Sequence, residues 1–198
     1  MKLAKTMVAV ALMTGAGPLF AEGSVRLAEV PLPKNVAQAV KDNYAWGRGE
    51  MDFGGIAKVR VFRLAGATRD RLAVVSALIA ATKADSEGSL AKACGVDQEH
   101  EEPIADQGAC AKWIIEHGAG PRFLGFASWI GGDSGEEADA KKFARDVAAV
   151  RAFVALKAGK GFTEYSTTAN VWSVDVSTSL LLDAAGKTAI VVTYDYGA

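Results

Sequence analysis

Hydrophobic residues recur along this chain with two different periods, and the changes of period mark out its elements. Between Val25 and Pro33 two prolines oppose helix, which predicts an extended segment. From Lys34 the spacing lengthens: Val36, Val40 and Tyr44 fall one helical turn apart and predict a short amphipathic helix. Gly47, Gly49, Gly54 and Gly55 then read as a flexible loop around Trp46 and Phe53. Ala57 to Leu64 alternates, Val59 and Val61 against Lys58, Arg60 and Phe62, as a strand that Gly66 ends. Thr68 is the expected N-cap of a helix running to about Thr82, with Leu72, Val75 and Ile79 on one face and Val74 and Leu78 widening it.

The second half repeats the two periods. A short helix runs into Cys94, and another from about Cys110 to His117 stops at Gly118. Pro121 to Ile130 is apolar on both faces, which predicts a central strand. The longest helix is expected over residues 135–158, with Phe143, Val147, Val150 and Val154 as its buried stripe. Residues 162–168 and 171–182 then read as strands, and the second forms a hairpin with 188–196 across the turn Asp183–Lys187. The expected fold is therefore α+β. It has a mainly antiparallel sheet of four or five strands, with the helices at 68–82 and 135–158 packed on one face.

The start of the chain changes the picture. Lys2 and Lys5 precede an uncharged apolar stretch from Met7 to Ala16, and Leu19-Phe20-Ala21 offers a cleavage site. Residues 1–21 read as a signal peptide and residues 22–198 as a single α+β domain, placed in the periplasm or secreted. The apolar stretch is short of the roughly 20 residues that span a bilayer. Removing it takes Lys2 and Lys5 from the 22 basic residues and none of the 23 acidic ones, leaving a formal charge of about −3. So small and mixed a balance points away from nucleic acid and from anionic lipid. The two cysteines, Cys94 and Cys110, lie in the exported part, and an oxidising compartment makes a disulfide between them the expectation.

Candidate chemistry is sparse. Gly132-Asp133-Ser134-Gly135 is similar to the sequence around the nucleophile of trypsin-like serine proteases, but the likeness stops at four residues. Ser134-Gly135-Glu136-Glu137 is better read as a capping box opening the long helix. Asp97, Glu99, His100, Glu101, Glu102 and Asp106 crowd the loop between the cysteines. Their spacing fits a solvated loop or a docking surface for a basic partner better than a cation site, for which Glu99, His100 and Glu102 would be the donors. His117 is expected to bond the last carbonyls of its helix. Ser173, Asp175, Ser177 and Ser179, with Thr193 and Asp195, form the polar face of the hairpin, a second candidate surface for a partner. No cofactor and no catalytic residue is expected. The favoured function is a non-catalytic binding or accessory protein, such as an inhibitor, an immunity-type protein or an envelope-assembly factor. A secreted enzyme with a dispersed site, and divalent-cation binding over residues 97–106, are the alternatives.

Overall fold

The computed structural model describes residues 25–49, 55–66, 69–85, 88–94, 104–118, 123–124, 137–171 and 174–196. In chain order the elements are β1 (Arg26–Val30), α1 (Lys34–Gly49), β2 (Ile56–Ala65), α2 (Arg71–Thr82), a 3-10 turn (Leu90–Ala93), α3 (Gln107–His117), α4 (Glu137–Ala158), β3 (Thr163–Val171), β4 (Val174–Leu182) and β5 (Thr188–Tyr196). The strands form one antiparallel sheet in the order β1-β2-β5-β4-β3. The hairpin of β4 and β5 stands as expected, with Asp183 Oδ1 accepting from the amides of Lys187 at 2.6 Å and Thr188 at 3.1 Å.

Helices cover both faces of this sheet, which corrects the expectation that the two main helices share one. On β2 the side chains of Phe62 and Leu64 meet α2, the 3-10 turn and α3, whereas Val59 and Val61 point the other way and meet α1 and α4. The same division runs through β4, where Leu180 and Leu182 oppose Leu181, and through β5, where Ala189 and Val191 oppose Ile190 and Val192. Each such side chain contributes about 1.5–3 kcal/mol when it leaves water. A sheet with apolar residues on both faces cannot leave either one wet, so α2 and α4 lie on opposite sides.

Three local expectations also change. The helix α1 continues through Gly47 and Gly49, where a loop was expected. Within it, Asn43 Oδ1 accepts from the amide of Ile56 at 2.6 Å, and a Cβ on Gly55 would stand 2.9 Å from that oxygen. Only glycine lets the backbone come so close. The cap of α2 is Asp70, whose carboxylate accepts from the amide of Ala73 at 3.1 Å, while Thr68 lies outside the described residues. Asp caps at least as well as Thr, so the helix begins at the later residue. Of the strand expected over 121–130 only Phe123 and Leu124 are described, and they form a turn.

Gly118 does end α3, but its φ of −61° asks nothing special of the backbone. A side chain there would meet the carbonyl of Ile114 and the Cβ of Tyr165, so the glycine is there for room. His117 reaches back as expected: its Nδ1 lies 3.1 Å from the carbonyl oxygen of Trp113, and its ring stacks on the indole.

Candidate functional site

Strand alternation gathers an unusual set of polar residues inside the protein. Glu164, Ser166 and Thr168 of β3 share a face with Ser177 and Ser179 of β4 and Tyr194 of β5, the face that α1 and α4 cover. Glu164 Oε1 accepts from the amide of Phe123 at 2.8 Å and from the Ser166 hydroxyl at 2.9 Å. The Ser166 and Ser179 oxygens stand 2.5 Å apart, and Ser179 continues to the Tyr194 hydroxyl at 3.3 Å. Beside this chain Thr168 bonds Ser177 at 2.8 Å.

A carboxylate, two serine hydroxyls and a phenol in series can relay hydrogen bonds. Ser166 is 2 % exposed and Ser179 is 0 % exposed, so in this arrangement no solute meets them. What the chain does is mechanical. Glu164 holds the Phe123 amide, Arg151 Nη2 donates to the Leu124 carbonyl at 2.6 Å, and the Phe123 ring packs on Tyr194 at 5.4 Å. The turn at Phe123 is thereby fixed to both β3 and α4.

The residues singled out from sequence are distributed differently. Cys94 and Cys110 are bridged, with their Cα atoms 5.3 Å apart, and both are buried in the core beneath α2. Asp106 is the N-cap of α3: its carboxylate accepts from the amide of Ala109 at 2.7 Å. Ser177 and Ser179 are buried, which corrects the expectation of a solvent-facing hairpin surface. The cause is again the helix layer over that face. Asp175 sits in β4 opposite Asn170 and Tyr196. Asp97, Glu99, His100, Glu101, Glu102, Ser134 and Ser173 lie outside the described residues. Among the described residues no group of three or more His, Cys, Asp or Glu side chains is placed to hold a metal ion.

On the opposite face a charged cluster joins the first two strands to the loop after α2. Arg60 donates to both oxygens of Glu29, at 2.8 and 2.6 Å, and stands 3.7 Å from Asp85, which also pairs with Lys58 at 3.4 Å. The hydrogen bond from Arg60 is the main reason that the Glu29 carboxyl is held below its ordinary value, with burial pulling the other way. A carboxyl depressed in the folded state stabilises the fold above its unfolded pKa, and that contribution disappears as pH falls through the folded one. Because Glu29 is 48 % exposed, the effect is small, at most about 1 kcal/mol. Urea unfolding of the protein and of Glu29→Gln from pH 7 to pH 3 should show the parent's advantage shrinking as the carboxyl protonates. A difference independent of pH would show that the ion pair contributes nothing.

The described residues thus define the class: an α+β protein whose five-stranded antiparallel sheet is covered by helices on both faces, one of them over a disulfide. No described helix is long and apolar enough to cross a membrane. Compared with known protein families, with curated proteins and with solved structures, the chain finds no match.

Proposed function

We propose that this chain is an exported, non-catalytic binding or accessory protein, and that its docking element is the acidic segment closed by the Cys94–Cys110 bridge. The observation that carries the proposal is where the bridge sits. Both cysteines are buried in the core, so the two ends of the segment are anchored to the 3-10 turn and to α3. A segment tied down at both ends loses less entropy on docking than a free one. Asp97, Glu99, Glu101 and Glu102 within it suit a basic protein partner. Export fits the signal-like residues 1–21 and the oxidised pair of cysteines. An inhibitor, an immunity-type protein and an envelope-assembly factor all share this requirement.

The test uses the mature chain, immobilised and exposed to envelope extract, beside a variant carrying Glu99→Lys, Glu101→Lys and Glu102→Lys. The parent should retain a stoichiometric basic partner. The variant should associate at least ten times more slowly at low salt, and the gap should close as salt is raised, because steering acts on encounter and is screened. Equal association by both chains at every salt concentration removes the acidic segment from the interface. A rise in melting temperature with calcium or zinc, abolished by chelator, would replace docking with cation binding.

A further inference from the structure

The face of the sheet under α2 and the 3-10 turn carries a row of three threonines that the core does not explain. Thr167, Thr178 and Thr193 lie side by side across β3, β4 and β5, and Lys58 extends the row onto β2. The threonines are 6 %, 3 % and 3 % exposed, yet among the described residues the hydroxyls of Thr167 and Thr193 meet no protein hydrogen-bond partner. Leaving a buried hydroxyl unmatched is costly, and two in one row point to a shared cause.

The other face of the same strands shows what is different. There Ser166 bonds Ser179 and Thr168 bonds Ser177 directly, at 2.5 and 2.8 Å. Neighbouring cross-strand pairs in an antiparallel ladder alternate between a close and a wide class. The pair Thr167–Thr178 falls between those two bonded pairs in the register, so it belongs to the other class. Direct bonding marks the serine pairs as close and the threonine pair as wide. Side-chain oxygens about 5 Å apart are too far for a direct bond, but two bonds of about 2.8 Å through one small molecule span that gap.

Charge decides what the molecule is. Lys58 is matched by Asp85, and Arg60 by Glu29 and Asp85, so the row offers no spare positive charge to an anion. An ion enclosed among hydroxyls without a partner would lose its hydration uncompensated. We infer that the row is an internal hydration site, in which an ordered water bridges Thr167 to Thr178 across the wide gap between them.

The hydroxyl protons of the parent protein report this directly. Nuclear Overhauser cross-peaks from a long-lived water to the threonine side chains at 167 and 178 are expected. Thr167→Val and Thr178→Val, each the same shape without the hydroxyl, should lose the corresponding cross-peak and raise the unfolding equilibrium constant about 5-fold. If the row is dry, removing an unmatched hydroxyl instead makes each valine variant more stable, and the parent shows no water cross-peak; either result overturns the inference. Should a valine variant fail to fold, the parent's spectrum alone decides.

Discussion

Removing the disulfide is expected to lower the unfolding free energy by about 3 kcal/mol, the chain-entropy value for a loop of this size. Cys94 and Cys110 are 16 residues apart and both are buried, so the bridge restrains the unfolded chain and also ties the 3-10 turn to α3 under α2. The right variant is Cys94→Ala with Cys110→Ala, since serine would add buried hydroxyls and blur the result. Urea unfolding of parent and variant measures the difference. Thiol labelling of denatured, unreduced parent should find no free cysteine, in line with the bridge seen in the structure. A variant with an unchanged midpoint would show that helix packing alone sets the geometry around the acidic segment.

Glu164→Ala should cost about 2 kcal/mol, because it strands the buried Phe123 amide and leaves the Ser166 hydroxyl with Ser179 alone. The Phe123 amide and the Ser166 hydroxyl both bond the same carboxylate oxygen. Glu164→Gln keeps an acceptor in that place and should recover most of the loss. Urea unfolding gives the totals, and hydrogen exchange at the Phe123 amide gives the local effect, faster in the alanine variant and near the parent rate in the glutamine one. If alanine and glutamine behave alike, the carboxylate is not what holds the turn.

The strands and helices were largely legible in the sequence, because each carries its own period. Residues 188–196 are rich in β-branched and aromatic residues, and the turn before them has the residues a hairpin turn needs. Which helix covers which face does not follow from helix periodicity, although the strands carry a signal for it. Leu180-Leu181-Leu182 and Ala189-Ile190-Val191-Val192 are unbroken apolar runs, and such runs belong to strands buried on both sides. The alternation of serines lower in the same strand points the other way. The polar chain was not legible for a related reason. Glu164, Ser166 and Tyr194 look like ordinary surface residues until the register sets them beside Ser179 under a helix layer. Asp106 shows the opposite error: an acid counted with the acidic loop proves to be the cap of α3.

The place of β5 in the sheet sets the order in which this protein can be completed. Its last strand lies between β2 and β4, and Ile190 pairs with both Val61, about 130 residues earlier, and Leu181, nine residues earlier. The hairpin can close as soon as the C-terminal residues exist, since its contacts are local. Among the described strands β1 pairs only with β2, and β2 reaches β4 and β3 only through β5, so the first two strands join the others once β5 is in place. Long-range pairing of this kind is slow to form. Among the described residues the nine-residue β5 is therefore the keystone that joins the pair β1-β2 to the pair β4-β3.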